Sequence, residues 1–177
     1  MAEIILLTDV VGYEGIYMVN DIGEVFRKKK DGSLRKVKQQ YDSYGYPIIK
    51  LSIDSNSVSH RIHRLVFFSF NTEYDINDSK IHVDHKDRNI TNNKLINLRH
   101  ATHQQNLRNV GKWKNKVMSS NYKGVSWDKS RKKWYVSVAI DGRSKYIGRF
   151  ENEKDAARAY NQYVKAIDPD FFHLNEI

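Results

Sequence analysis

The chain has 177 residues and a formal net charge of +9, with 40% hydrophobic and 29% charged residues. That length fits one or two domains, and no apolar run approaches the ~20 residues that a membrane-spanning helix needs. The absence of cysteine excludes disulfides, thiolate zinc sites and cysteine nucleophiles, and a basic chain favours polyanions, nucleic acid above all, as partners.

The first segment, residues 1–55, reads as β-rich. The start, "MAEIILLTDVVGYEG", has an apolar patch but no basic n-region and no small-residue cleavage site, so it does not read as a signal peptide; with no cysteine in the chain, an intracellular protein is expected. Short runs rich in β-branched and aromatic residues ("IYMVN", "EVFRK", "LRKVKQQ", "YPIIKLSI") are separated by the turn signals "NDIG", "KDGS" and "DSYG". Arg27, Lys28, Lys29, Lys30 and Lys36 flank the Asp31-Gly32 turn. Seven Lys or Arg against one acid between Arg27 and Lys38 suit a ribbon that tracks phosphates; lysines also protect an exposed sheet edge.

The second segment, residues 56–110, mixes elements. "HRIHRLVFFSFN" reads as a short helix with Ile62, Leu65, Val66 and Phe70 on its apolar face, and His63 and Arg64 as candidate phosphate contacts. A polar loop follows and contains "VDHKDRN". Next comes "KLINLRH" as a short strand, then "THQQNLRN" as a helix start with Thr102 at the N-cap and Gln105 three residues on.

Asp84, His85, Asn97 and Asn106 together suggest hydrolysis of a phosphodiester. Such a reaction needs a base to activate water and a cation to stabilise the leaving oxygen. A hard cation such as Mg²⁺ or Mn²⁺ takes oxygen ligands, which the Asp84 carboxylate and the Asn106 amide can supply. A neutral His85 can take the water's proton. Its other ring nitrogen must then be tied down, by the Asn97 amide oxygen or a nearby backbone carbonyl. Neighbours on a strand point to opposite faces, so Asp84 and His85 need a local bend or a reacting group between them. An EF-hand is rejected, because "DRNITNN" lacks the glycine and distal glutamate. No "HExxH" and no thiolate accompany the histidine pairs His60/His63, His82/His85 and His100/His103, which speaks against zinc.

The stretch "VDHKDRNITNNKLINLRHATHQQN", with "HRLVFFSF" upstream, resembles the HNH homing endonucleases of phages and mobile introns. The resemblance implies a ββα-metal fold with His85 as general base, Asp84 and Asn106 as metal ligands, and Asn97 supporting His85. Asn106 stands where many of these proteins have a histidine, and His103, one turn earlier, competes for that role. "GYEGIYMVNDIGEVFR" is similar to the small N-terminal motif that often precedes such sites.

"VGKWKNKVMSSN", residues 111–120 with its flank, reads as a basic linker carrying Lys112 and Lys114. From Ala101 to Tyr135 there are nine Lys or Arg against a single acid, Asp128. The third segment, residues 121–177, has clear patterns. "KKWYVSVAIDG" alternates, with Trp134, Val136, Val138 and Ile140 on one face, and Asp141-Gly142 signals a hairpin into "RSKYIGRF". "NEKDAARAYNQYVKAI" is an amphipathic helix capped by Asn152, with Ala156, Tyr160, Tyr163, Val164 and Ile167 as its stripe. The Trp134 face should pack on that stripe.

This segment resembles the DNA-binding domain of plant ethylene-response factors, a three-stranded sheet on one helix. Most of that family's base-reading arginines are absent here. Lys123 and Tyr146 are then the best contact candidates, with Lys129, Arg131, Lys132 and Lys133 as phosphate contacts.

The expectation is therefore an α+β, metal-dependent, site-specific DNA endonuclease or nickase of the HNH homing type, acting on double-stranded DNA and not at a membrane. One active centre per chain implies that a monomer nicks and a dimer can cut both strands. The rival reading is a catalytically inactive DNA-binding regulator; an RNA-binding β module is a third.

Overall fold

Alternation and turn chemistry dictate most of the first hundred residues. The computed structural model describes residues 4–111 and 118–177. Strands β1 (Leu7–Asp9), β2 (Tyr17–Asn20), β3 (Val25–Lys28) and β4 (Leu34–Lys36) form a four-stranded antiparallel sheet in that order. Strands β5 (Gln40–Tyr41), β6 (Pro47–Ile53) and β7 (Asn56–Arg61) form a second sheet. Gly23, Gly32 and Gly45 close the three predicted turns with positive φ of 92°, 81° and 82°, a region that costs glycine nothing. The β6–β7 turn is Asp54-Ser55, with φ of 45° and 68°. Two successive left-handed residues make the primed turn that matches strand twist.

Helix α1 (Ile62–Phe70) follows β7 directly, through an extended Arg61 that makes no side-chain cap. Packing rather than capping holds it. Ile62, Leu65, Val66, Phe67 and Phe68 are all buried in one core with Val10, which follows β1, with Tyr17, Val19 and Val25 of the first sheet and with Ile49 and Leu51 of the second. Phe70, expected on the same face, is only partly buried. Residue 55, where a segment boundary is expected, lies in the β6–β7 hairpin turn, and Ile49 and Leu51 of β6 share this core with Ile62 and Leu65 of α1. Small sheets cannot bury enough apolar surface alone, so they close on α1.

Strand β8 (His82–His85) pairs antiparallel with β9 (Leu98–Ala101), with Asp84 opposite Arg99 and His85 opposite Leu98. Val83 and Leu98 join the same core. The sequence "KLINLRH" divides: Leu95–Asn97 is a 3₁₀ turn and the strand begins at Leu98. Helix α2 (His103–Asn109) follows. The compact units divide after its first residue, into Met1–His103 and Gln104–Ile177.

In the second unit β10 (Val125–Asp128), β11 (Lys133–Ile140) and β12 (Arg143–Phe150) form an antiparallel sheet, and α3 (Glu153–Ile167) packs on it. Val125, Val136, Val138, Ala156, Ala157, Tyr160, Val164 and Phe172 make its core, with Trp134, Ile140 and Tyr163 partly buried against it. Ala157 joins the helix stripe and Ile167 leaves it, being 42% exposed at the last turn. Asn152 caps α3, its side chain accepting from Lys154 N at 2.8 Å and Asp155 N at 3.4 Å. Among the described residues no helix is long and apolar enough to cross a membrane.

Candidate active site

The site is built at the end of β8. Asp84 and His85 are each only 5% exposed, and both sit in regular strand pairing. No bend separates them. Their side chains leave opposite faces of the strand, and the chain turns only afterwards, where Arg88 adopts φ 65° and its N–H donates to His85 O at 2.9 Å. On one face Arg99 Nε donates to Asp84 Oδ2 at 2.8 Å, and Arg99 Nη2 lies 2.7 Å from the same oxygen. This pairing offsets much of the cost of burying the carboxylate.

On the other face His85 meets Asn93. His85 Nε2 and Asn93 Oδ1 are 3.1 Å apart. An amide oxygen only accepts, so Nε2 carries the proton and the neutral ring's lone pair sits on Nδ1. The amide that holds the imidazole is thus Asn93, not Asn97. The Asn97 side chain is committed to the loop: its Nδ2 donates to Asp87 Oδ1 at 2.9 Å and to Asn92 O at 2.8 Å, and its Oδ1 accepts from Asp87 N at 3.1 Å. Asp87 also accepts from Asn89 N at 2.8 Å and Asn92 Nδ2 at 2.7 Å. Burial pushes the Asp87 carboxyl up, but the bonds from Asn92, Asn89 and Asn97 outweigh it and hold it below its usual range. Lys86 Nζ donates to Ile96 O at 2.7 Å. The loop after the Asp-His pair is a closed hydrogen-bonded ring whose far side presents Asn93.

The N-terminal sheet supports that amide. A Cβ on Gly23, in the "NDIG" turn, would lie 3.0 Å from Asn93 Cβ. Leu95 N donates to Asp21 O at 2.7 Å. Gly23, Ile62, Thr91 and Asn93 line an open groove of about 700 Å³ together with Lys36 and Lys38.

Behind His85 stands an aromatic and cationic wall. The His63 ring meets the His85 ring edge-on, with centroids 4.9 Å apart, and Tyr46 packs on both at 5.3 and 6.3 Å. Arg61 lies over the Tyr46 ring at 4.1 Å and pairs with Asp42 at 2.7 Å. Asp42 in turn accepts from the backbone N–H of Tyr44 and of Tyr46. His63 is 5% exposed, so it does not serve as the surface phosphate contact its sequence suggests. Burial, with a smaller contribution from neighbouring His85, lowers its pKa to about 3 and keeps it neutral. Burial likewise lowers the pKa of His85, against the opposing effects of the Asn93 bond and the charges of Asp84 and Asp87.

Several predicted nucleic-acid contacts also have internal partners. Arg64 donates to Ile76 O at 2.8 Å and Ile81 O at 3.3 Å and lies over Phe68, so it ties down the 71–81 loop. Lys28 pairs with Asp9 at 2.8 Å, and Lys36 pairs with Glu24. Lys123 donates to Arg108 O at 2.7 Å and to Val110 O, carbonyls at the end of α2. A side chain held there is placed to stabilise a helix terminus. Arg27, Lys29 and Lys30 are exposed on β3 and its turn. In the second unit Lys129, Arg131 and Lys132 are exposed in the β10–β11 turn, and Lys133 pairs with Glu151. Tyr146 is 49% exposed and stacks on Tyr135, with Arg149 over both rings. Asn106 lies on α2, part-exposed, within the second unit. Lys112 and Lys114 lie outside the described residues.

A strand ending in Asp-His, a pinned polar loop, a second strand and a helix follow one another along the chain. The family profile described as HNH endonuclease matches residues 60–108. An uncharacterized HNH endonuclease of Acanthamoeba polyphaga mimivirus is 34% identical over 142 residues, covering 80% of this chain and 68% of that protein. The chain belongs to the HNH endonuclease family. It is also similar to the DNA endonuclease I-HmuI of Bacillus phage SP01, 38% identical over 57% of this chain and 55% of that protein. The H-N-H endonuclease F-TflI of Escherichia phage T5 is 34% identical over 55% of this chain and 50% of that protein. The chain thus spans about half the length of these two curated relatives. A solved structure of the HNH homing endonuclease I-HmuI, described by its DNA binding and cleavage, superposes with a TM-score of 0.51 at 36% identity, over 59% of this chain and 56% of that one.

Proposed function

We propose that the chain is a site-specific DNA endonuclease or nickase of the homing type that hydrolyses phosphodiester bonds in double-stranded DNA. The observation that carries this reading is the His85–Asn93 bond. It orients a neutral imidazole beside a carboxylate, within the region that matches the HNH family. His85 Nδ1 accepts a proton from water as the water oxygen forms its bond to phosphorus. The bond from phosphorus to the 3′-oxygen breaks, and the leaving oxygen takes a proton from solvent. Asn93 holds the imidazolium that results. A divalent cation, Mg²⁺ or Mn²⁺, held by Asp84 with the amide oxygen of Asn106, would supply Lewis-acid stabilisation of the scissile phosphate and leaving oxygen. A single carboxylate with amide donors suits a hard oxygen-seeking ion. The opposite directions of Asp84 and His85 suit a scissile group lying across the strand end.

In this reading the exposed residues Arg27, Lys29 and Lys30 contact the DNA backbone, and the second unit is the ethylene-response-factor-like DNA-binding module. Its three-stranded sheet on one helix supports that, with the exposed Lys129, Arg131, Lys132 and Tyr146 as its contact candidates. The chain acts as a monomer that nicks one strand. The test is metal-dependent nicking of a supercoiled plasmid library with randomised inserts. Wild type should nick with Mg²⁺ or Mn²⁺ and not with EDTA, and Asp84→Asn and His85→Ala should each lose at least about 10³-fold. His85→Ala cutting at the wild-type rate would remove the mechanism. Tight DNA binding with no cleavage would favour the inactive regulator.

A further inference from the structure

His63 lies outside the Asp-His, Asn, Asn constellation, yet it touches the histidine at its centre. Among the described residues its Nδ1 is buried and finds no hydrogen-bond partner. Burying an imidazole nitrogen in that way destabilises a fold, whereas a phenyl ring would keep the same edge-on contact without that penalty. The neighbourhood is already aromatic, since Tyr46 packs on both rings and α1 carries Phe67 and Phe68. Packing alone therefore does not account for a histidine here. The position is also well defined. His63 stands on the first turn of α1, anchored by Ile62 and Leu65 in the core, while Tyr46 is clamped from the other side by the Arg61–Asp42 pair.

We propose that His63 is a positioning residue for His85, and that its Nδ1 nitrogen, beyond its ring, is what the reaction requires. His63 and Tyr46 form a rigid wall against one side of the His85 imidazole, while Asn93 holds Nε2. With the wall in place the His85 ring has one orientation in which Nδ1 meets the attacking water. The His63 nitrogen gives that wall a polar point, a neutral hydrogen-bonding group in an otherwise apolar surround. A group placed where it weakens the fold but serves the site is the pattern expected where activity competes with stability. The proposal rests on His85 acting as the general base.

The experiment compares His63→Phe, His63→Asn and His63→Leu with wild type and His85→Ala in the full chain. Single-turnover cleavage of the plasmid library is followed with Mg²⁺ over a range of DNA concentrations. The asparagine amide overlays the position of Nδ1, whereas phenylalanine keeps only the ring. His63→Phe should lower kcat at least about tenfold with KM within about twofold, and His63→Asn should recover most of that loss. Thermal melting of His63→Phe should match or exceed wild type, separating loss of chemistry from loss of fold. His63→Leu takes its place if the phenyl variant does not fold. A wild-type kcat in His63→Phe or His63→Leu overturns the proposal, and so does a loss expressed only in KM. Full activity in His85→Ala would instead sink the underlying assignment of the base, an outcome distinguishable from the others.

Discussion

Replacing Asn93 by alanine removes a side chain that holds the His85 imidazole by its Nε2. In the ground state that bond joins two neutral groups and contributes about 0.5–1.5 kcal/mol; when His85 takes up the proton it becomes charge-assisted, about 1.5–3 kcal/mol. Only the increment, roughly 1–1.5 kcal/mol, slows the chemical step, which corresponds to about five- to twelvefold in kcat. Loss of the fixed tautomer adds a further factor of about two to four, since the proton can then sit on Nδ1. Asn93→Ala should therefore cleave about 10–50-fold more slowly than wild type at pH 7 with little change in DNA affinity. The sign of its pH dependence is defined too. If His85 is the general base it must be neutral to act, so the rate rises with pH through its pKa, which burial lowers. The Asn93 bond opposes that shift, so removing it moves the acid limb to lower pH while the plateau drops. The assay is single-turnover plasmid cleavage between pH 5 and pH 8. A rate within about twofold of wild type, or an acid limb that moves upward, would refute the reasoning.

Three further outcomes are expected. His63 has a folded-state pKa of about 3 against 6.5 as a free side chain. Below pH 6.5 the unfolded chain therefore binds a proton that the folded chain does not, and stability falls by up to about 1.4 kcal/mol per pH unit until about pH 3. Urea unfolding at pH 7 and pH 4.5 should show wild type losing roughly 2–3 kcal/mol more than His63→Phe over that interval. Gly124→Ala should destabilise the second unit by at least about 3 kcal/mol, read by thermal melting: at φ +76° the new Cβ would lie 2.3 Å from the Tyr160 ring and 2.7 Å from Ser137 O. Asp87→Ala removes the acceptor for Asn89, Asn92 and Asn97; this exposed carboxylate should cost roughly 1–2 kcal/mol in stability, and nicking should slow as the loop that presents Asn93 loosens.

Local signals carried much of the fold. The Asp-Gly and Gly-terminated turns, the Val136–Val138 alternation and the Asn152 cap depend on neighbours within a few residues, and each stands in the structure as the sequence pattern describes. The Asp84-His85 pair and its family were legible for the same reason: the motif is a short, spaced string. The partner of His85 was not. "ITNNKLIN" offers three amides, at Asn92, Asn93 and Asn97, and neither periodicity nor charge says which one faces the imidazole. The 3₁₀ turn at Leu95–Asn97 turns Asn97 into the loop, and the Gly23 turn, some seventy residues upstream, leaves room for Asn93.

By itself, then, the sequence determined a basic α+β chain, its turns, its amphipathic helix and the Asp84-His85 string that matches the HNH endonuclease family. Tertiary structure alone decided which cations are exposed and which are spent on internal partners, as with Arg64 and Lys123. It also moved His63 from the surface to the wall behind His85. The physical reason is range. Turn geometry and hydrophobic period act between near neighbours and are written into short strings, whereas burial and hydrogen-bond pairing depend on surfaces brought together from distant parts of the chain.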